Sequence, residues 1–196
     1  MEKRKVLVIV AHPDDETIWM GGTLLRNKNK WDITIISLCR KKDNDRAPKF
    51  RKACELLNAK SFISNLEDED LNSVEISEIV NRILKFADKE YDYIFTHGRN
   101  GEYGHIKHKE IHKAVRKMIK NKEIKCRKLF FFSYIPKNNN YQGYCIYNSN
   151  ANKLINLNEI EFLKKKQMII EIYGFEKGGF EEKSCGKIET FDTEVE

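Results

Sequence analysis

The chain has 196 residues, of which 40% are hydrophobic and 34% are charged, and its formal net charge is +6. This length suffices for one domain with a hydrophobic core, and the composition predicts a soluble globular protein. No stretch approaches the roughly 20 apolar residues that a membrane span requires. The lysines are spread along the chain without the stacking aromatics typical of nucleic-acid binding, so we expect no nucleic-acid partner.

Short β-branched apolar runs alternate with helical stretches from the N-terminus to residue 134. The predicted strands are 5–11, 32–38, 60–65, 93–96 and 128–134, and the predicted helices are 14–26, 47–57, 74–87 and 105–119. Strands that alternate with helices predict right-handed crossovers and a mainly parallel sheet covered on both faces. We therefore expect a Rossmann-like, three-layer α/β/α fold.

The pattern changes after Pro136. Residues 137–140 predict a polar turn, 141–147 and 153–157 a short antiparallel strand pair, and 158–173 a late helix. The tail from Phe175 has no assignment. Because no repeat or linker divides the chain, we expect a single domain over residues 1–196, with a small antiparallel C-terminal addition.

The termini and cysteines indicate a compartment. The apolar run after the basic N-terminus is too short for a signal peptide, and charged residues follow it directly. The five cysteines are odd in number and scattered, and they form no Cys-x-x-Cys pair. This pattern favours free thiols in a reducing environment, so we expect a cytoplasmic protein.

All the histidines lie in two short segments. His12 directly follows the first predicted strand, and the other four lie between residues 96 and 112, beginning at the end of the fourth strand. Ligands of open parallel sheets bind outside the carboxyl ends of the strands, so we expect the two segments to meet there. Imidazole and carboxylate are the ligands that zinc uses when one position stays open for water. His12, Asp15 and one later histidine would form such a site, with Asp14 beside it as a general base.

Each of these signals also has a plainer interpretation. Acidic residues after a strand suit the start of a helix, and one histidine on a helix is more often a surface or hydrogen-bonded residue. We favour a metal because both segments follow strand ends. His97 and His112 are expected to stay outside the ligand set, one packing near the strand end and the other on the helix or behind the ligands. Gly21 and Gly22 form no dinucleotide motif and are interpreted as sites of close helix packing.

Two motifs carry a family resemblance. Residues 11–16 (Ala-His-Pro-Asp-Asp-Glu), with 21–24 (Gly-Gly-Thr-Leu), resemble the first motif of the LmbE-like (PIG-L) family of zinc-dependent N-deacetylases. Residues 101–108 (Gly-Glu-Tyr-Gly-His-Ile-Lys-His) resemble its second motif, with Ile106-Lys107 where relatives often carry Pro-Asp. Lys107 would change the charge of the pocket or point outward. The resemblance covers roughly residues 5 to 135.

The resemblance implies the metal ligands and the base. His12, Asp15 and His108 match the zinc ligands of the family, and Asp14 matches its general base. Zinc would polarise the acetyl carbonyl and lower the pKa of a bound water, while Asp14 would take the proton of that water.

The resemblance also implies four supporting residues. His105 matches a second catalytic histidine that acts on the oxyanion or the leaving amine, and Tyr103 matches a tyrosine that hydrogen-bonds the tetrahedral intermediate. Arg46 resembles an arginine near the substrate pocket. Asp68 either matches an acidic residue that tunes the catalytic histidine or belongs to a solvated acidic loop.

The implied activity is removal of the N-acetyl group from a small N-acetylglucosamine-type sugar conjugate. The positive net charge leaves an anionic conjugate open. Two alternatives stand beside this activity: a zinc amidase that acts on another amide, and a non-catalytic metal- or sugar-binding domain. Asp14, Tyr103 and His105 favour an enzyme because a pure binding domain needs no spare base. The sequence leaves the oligomeric state open.

Overall fold

The computed structural model describes residues 2–68, 73–137 and 143–194. In these ranges no helix is long and apolar enough to cross a membrane. The elements in chain order are β1 (Arg4–Val10), α1 (Asp15–Asn27), β2 (Trp31–Cys39), α2 (Arg46–Leu56), β3 (Ala59–Leu66), α3 (Ile76–Leu84), β4 (Glu90–Thr96), α4 (Ile106–Lys120), β5 (Lys125–Phe132), β6 (Tyr134–Pro136), β7 (Cys145–Tyr147), β8 (Lys153–Asn156), α5 (Glu159–Gln167), a π-helical segment (Met168–Ile172), α6 (Phe180–Ser184) and β9 (Ile188–Glu194).

Seven strands form one twisted sheet in the order β3-β2-β1-β4-β5-β9-β8. The first five of these strands are parallel, whereas β9 runs antiparallel to both β5 and β8. The predicted α/β class, with its mainly parallel sheet and antiparallel C-terminal addition, is confirmed.

The two faces of the sheet carry separate hydrophobic cores. Side chains of a strand point alternately to opposite faces, so Val8 of β1 packs with α1 and α2, and Ile9 packs with α3 and α4. Both residues are fully buried. This explains why β1 is an unbroken apolar run, as expected of a strand covered by helices on both sides.

The predicted pairing of the late strands is wrong. The strand β7 pairs with β6, and β8 pairs with β9 from the unassigned tail. The pattern of β9 hid it, because polar residues separate its apolar ones and only the first half of the strand is buried. The predicted helix 158–173 divides into α5 and the π-helical segment. Residues 138–142, which include most of the predicted polar turn, lie outside the described ranges.

Helix α1 is kinked, and the tail packs into the kink. Met20 has non-helical torsions (φ −147°, ψ 16°), so the helix restarts after it. The carboxylate of Glu189 on β9 accepts hydrogen bonds from the backbone nitrogens of Gly22 and Thr23, both at 2.8 Å. A Cβ atom on Gly22 would lie 2.3 Å from Cδ1 of the buried Leu157. The interpretation of close packing is therefore confirmed at Gly22.

A matched pair of glycine substitutions tests this packing. Gly22→Ala should lower the free energy of unfolding by about 1–3 kcal/mol because the buried side chain of Leu157 would have to shift. Gly21→Ala is the control, since its Cβ would lie 3.3 Å from its nearest neighbours, Lys165 and Thr17, compared with 2.3 Å at Gly22. Urea unfolding followed by circular dichroism measures both. Equal effects of the two substitutions would contradict close packing at Gly22.

Candidate metal centre and catalytic pocket

The two histidine segments meet at the carboxyl ends of β1 and β4. These strands are parallel neighbours with Ile9 opposite Thr96, so the residues that follow them emerge side by side. The ring of His97 continues the contact, because its Nε2 accepts a hydrogen bond of 2.9 Å from the backbone nitrogen of Ala11. The predicted meeting of the two segments is present in the structure.

His12, Asp15 and His108 bring three ligand atoms together. The Nδ1 atom of His12 lies 3.3 Å from Oδ2 of Asp15, and Nε2 of His108 lies 3.4 Å from each of those atoms. Tetrahedral zinc with ligands at about 2.0–2.1 Å places neighbouring ligand atoms roughly 3.3–3.4 Å apart. The spacing of these three atoms therefore fits three corners of a zinc tetrahedron and leaves the fourth open.

The outer ring nitrogens of both histidines face carboxylates. Nε2 of His12 lies 3.0 Å from Asp68, and Nδ1 of His108 lies 2.5 Å from Glu102. An ionised carboxylate only accepts hydrogen bonds, so each outer nitrogen donates, and loss of the second ring proton leaves the lone pair of the inner nitrogen for a metal. Asp15 is oriented as well, since its Oδ1 accepts from the indole nitrogen of Trp19 at 2.9 Å. Such outer carboxylates are typical partners of metal-binding histidines.

The charges of this group also suit a cation. Burial lowers the pKa of each ligand histidine, but their carboxylate partners more than offset this effect. The pKa of His12 rises to about 9 through Asp15 and Asp68, and that of His108 to about 10 through Asp15 and Glu102. A site that attracts protons this strongly attracts a metal ion for the same reason, and the two compete.

Glu102 joins two histidines in the buried interior and was not predicted. Its Oε2 accepts from Nδ1 of His97 at 3.0 Å as well as from His108, and its Oε1 accepts from the backbone of Gly98 at 2.7 Å. Burial raises the pKa of Glu102, but the two histidines lower it to about 2, so the carboxylate is ionised. The only sequence signal was its position inside the second motif, at residues 101–108.

His97 does more than pack at the strand end. Its ring stacks on that of His108 with the centroids 3.8 Å apart, and it lies fully buried between Glu102 and Ala11. Nδ1 of His112 donates to the backbone oxygen of His97 at 3.0 Å. His97 and His112 thus lie outside the group of His12, Asp15 and His108, as expected, but they support it from behind.

Asp14 is a separate, almost buried carboxylate beside the three ligand atoms. Its Oδ2 accepts a hydrogen bond of 2.7 Å from Nη1 of Arg46. Burial and the charge of Asp15 raise the pKa of Asp14 well above its ordinary value, and Arg46 opposes this rise. Its φ of 118° is strained for a residue with a side chain. Its backbone nitrogen donates to Oε2 of Glu16 at 3.1 Å, which helps to hold this conformation.

His105 and Tyr103 line the other side of the pocket. Nδ1 of His105 accepts from the backbone nitrogen of Lys107 at 3.2 Å and caps helix α4, so the neutral ring carries its proton on Nε2. Burial, together with the charges of His108 and His12, lowers the pKa of His105 to about 4. Burial raises the pKa of Tyr103, which keeps its phenol protonated. Both side chains are therefore neutral hydrogen-bond donors at neutral pH.

Two further sequence interpretations can be compared with their positions. Asp68 contacts His12 and also pairs with Arg40 at 2.9 Å, so its hydrogen bond goes to a ligand histidine rather than to His105. Its side chain is 7% exposed, which excludes a freely solvated loop position. Lys107 does not point outward: it is buried and pairs with Glu110 at 3.2 Å.

A cavity of about 310 Å³ opens beside the three ligand atoms. Its wall includes residues that no motif predicted, among them Phe180 and Glu181 of α6. The ring of Phe180 packs edge-on against Tyr103 at 4.9 Å between centroids, and Phe175 lies under the guanidinium of Arg46 at 4.9 Å. The unassigned tail thus completes the pocket.

Sequence comparisons agree with this geometry. The family model of PIG-L, described as GlcNAc-PI de-N-acetylase, matches residues 7–119, and the chain belongs to this family. The chain is 31% identical over 128 residues to an uncharacterized protein of Acanthamoeba polyphaga mimivirus, which covers 58% of this chain and 57% of that protein. It is 32% identical over 95 residues to the probable N-acetyl-alpha-D-glucosaminyl L-malate deacetylase 2 of Bacillus subtilis. This match covers 45% of this chain and 42% of that protein. The chain spans about half the length of these curated relatives.

Solved structures share the fold over nearly the whole chain. The conserved protein TT1542 of Thermus thermophilus has a TM-score of 0.72 at 15% identity, covering 96% of this chain and 94% of its own. The N,N'-diacetylchitobiose deacetylase of Pyrococcus horikoshii has a TM-score of 0.64 at 14% sequence identity, and the match covers 98% of this chain and 84% of that structure. GalB, the 4-carboxy-2-hydroxymuconate hydratase of Pseudomonas putida, has a TM-score of 0.67 at 11% sequence identity, and the match covers 98% of this chain and 97% of that structure. One fold carries both reactions, so the reaction must be argued from the site.

Substitution of Glu102 tests whether its carboxylate orients His108 for metal binding. Glu102→Gln removes the negative charge that makes the ring of His108 a stronger electron-pair donor to a metal. Zinc affinity should therefore fall about 10–100-fold. Competition with a chelating dye measures this affinity. Glu78→Gln, at a surface ion pair with Arg82, is the control and should bind zinc as the unmodified protein does. Unchanged affinity in Glu102→Gln would mean that this carboxylate does not orient the ligand.

Proposed function

We propose that this protein is a zinc-dependent hydrolase that removes the N-acetyl group from an N-acetylglucosamine-type sugar conjugate. The observation that supports this best is a separate buried carboxylate, Asp14, beside the ligand atoms of His12, Asp15 and His108. When bound there, zinc would polarise the acyl carbonyl and acidify a water molecule. The names of the deacetylase relatives point to the same chemistry.

Asp14 has the properties of the general base. Its raised pKa makes it a stronger proton acceptor than an ordinary carboxylate, and Arg46 favours its ionised form and orients it. Asp14 would accept one proton as water adds to the acyl carbon. It would then return this proton to the sugar nitrogen as the carbon–nitrogen bond breaks, which yields acetate and a free amine.

His105 and Tyr103 are suited to stabilise the oxyanion rather than to carry protons. His105 uses Nδ1 to cap α4, so its free donor is the Nε2 proton. The low pKa of its ring, about 4, makes protonation unfavourable at neutral pH. The phenol of Tyr103 lies nearby, with the two ring centroids 5.6 Å apart. Preorganised donors of this kind stabilise charge that develops in the transition state.

The cavity suits a small polar substrate. Its volume of about 310 Å³ accommodates a sugar ring, and its wall presents Arg40, Arg46, Asp68 and Glu181 to hydroxyl groups. Arg46 is the proposed substrate-binding residue, since it lies at the pocket wall with its guanidinium on Phe175. The two arginines would also admit an anionic group on the conjugate.

The compartment is also a proposal. All five cysteines are free thiols, and four of them are buried. This supports a reducing, cytoplasmic environment.

A product assay separates the proposal from its alternatives. The zinc-loaded protein is incubated with a panel of N-acetylated glycosides, simple acetamides and an unsaturated hydroxy acid, and acetate release and hydration are followed. Acetate from the glycosides alone is expected. Acetate from simple acetamides would indicate a general amidase, hydration would indicate a reaction like that of GalB, and zinc binding without turnover would indicate a binding domain.

Replacement of the base tests the assignment of Asp14. Asp14→Asn should lower kcat by about 100-fold or more and leave zinc content unchanged, because the amide cannot accept a proton. Asp45→Asn, an exposed aspartate of the neighbouring loop, is the control and should be fully active. If Asp14→Asn keeps both zinc and near-full turnover, the proton acceptor is another group.

The pH profile tests the pairing of Arg46 with Asp14. Activity requires ionised Asp14, so kcat/KM should fall as the pH falls through its pKa. The charge of Arg46 lowers that pKa, so Arg46→Gln should move the acidic limb to higher pH by about one unit. Arg51→Gln, exposed on the same helix, should leave the limb in place. A higher KM with an unmoved limb would show that Arg46 binds substrate without acting on Asp14.

A further inference from the structure

A second cavity, of about 500 Å³, lies at the amino ends of the parallel strands. Its wall includes Arg4 and Trp31, which are the first residues of β1 and β2. The catalytic pocket lies at the carboxyl ends of the same parallel strands. Within the described ranges the two cavities have no lining residue in common.

The floor of this cavity is aromatic. Phe95 stacks on Phe130 with centroids 4.6 Å apart and the rings nearly parallel, at 10°. Trp31 stacks on Phe95 at 6.0 Å, and Tyr93 meets Trp31 edge-on at 5.9 Å. Trp31 and Tyr93 are only partly buried, so they present ring surface to the opening. Partly exposed aromatic rings of this kind suit a planar aromatic group.

The rim of the cavity is entirely positive. Its charged residues are Arg4, Arg26, Lys30, Lys128 and Lys153, and no carboxylate of the described residues lines it. The two arginines pair with acids outside the cavity, Arg4 with Asp92 and Arg26 with Glu161.

The three lysines are different. No carboxylate in the described part of the chain pairs with Lys30, Lys128 or Lys153. The Nζ atom of Lys153 lies 5.6 Å from the centre of the Phe130 ring, directly over the aromatic floor. Three cations beside an aromatic floor match a multiply charged anion joined to a planar group.

We propose that this cavity binds a nucleotide, with its base on the rings of Trp31 and Tyr93 and its phosphates at Lys30, Lys128 and Lys153. Both chemistries are needed, because stacking alone would accept any aromatic group and charge alone any phosphate. The volume lies in the range of small-molecule sites. The site is separate from the proposed deacetylase pocket, so it stands or falls independently of that activity.

Calorimetry of the full, zinc-loaded chain tests the proposal with three probes: ADP, adenosine and pyrophosphate. ADP should bind saturably, and adenosine and pyrophosphate should each bind about tenfold or more weakly, because each lacks one half of the recognition. The double variant Lys128→Gln/Lys153→Gln should weaken ADP about tenfold or more. Lys113→Gln, an exposed lysine on α4, is the matched control and should bind ADP normally.

Two further measurements locate the site. ADP should quench tryptophan fluorescence in the unmodified protein and not in Trp31→Leu, whose fold is checked by circular dichroism. Asp14→Asn should bind ADP normally, since the catalytic pocket is elsewhere. The proposal is overturned by any of four results: no ADP binding, equal affinity for pyrophosphate and ADP, no effect of the lysine changes, or loss of ADP binding in Asp14→Asn.

Discussion

The parallel pairing of β1 with β4 is the constraint on which the site depends. It carries two polar segments more than eighty positions apart in the sequence to one edge of the sheet. The backbone of Ala11 is then held from both sides, since its nitrogen donates to His97 and its oxygen accepts from Cys39 at 2.8 Å. His12 follows immediately, so its ring starts from a rigid point. The side chain of His97, the residue after β4, thus accepts the hydrogen bond of Ala11 where the main-chain pairing of β1 with β4 has ended.

The positions of His97 and His108 depend in turn on the buried negative charge of Glu102 and the hydrogen bonds that compensate it. Glu102 is an ionised carboxylate without solvent contact, which is costly unless every oxygen is hydrogen-bonded. Three donors, from His97, His108 and Gly98, meet this need. The same bonds place a proton on the outer nitrogen of His108, so a metal that binds there would displace the proton of the inner nitrogen. The hydrogen bonds that compensate the buried charge of Glu102 therefore also orient the ring of His108.

Sequence patterns predicted the parts of the structure that repeat and missed those that depend on a distant partner. The strands and helices up to residue 134 follow from periodicity, and the meeting of the two histidine segments follows from strand ends. That His108 is the histidine beside His12 was implied by the family resemblance alone. The contact of Asp68 with His12 rather than His105 could not follow, because it depends on how a loop folds over the sheet edge. Strand β9 was missed because its half-buried pattern has meaning only beside β5 and β8.

The C-terminal part of the chain also explains how the strained backbone of Asp14, the proposed base, is maintained. Asp14 holds an unfavourable φ, and such strain persists only where the surroundings over-determine it. Glu16 binds the backbone of Asp14, and the hydroxyl of Tyr173, which directly follows the π-helical segment, donates to Glu16 at 2.6 Å. Tyr173 lies beyond residues 7–119, the part that matches the family model. The part of the chain that matches the family model therefore contains Asp14, the proposed base, while the later segment holds its geometry and, through Phe180, lines the pocket. Differences in this segment among relatives would act on substrate choice and on the base together.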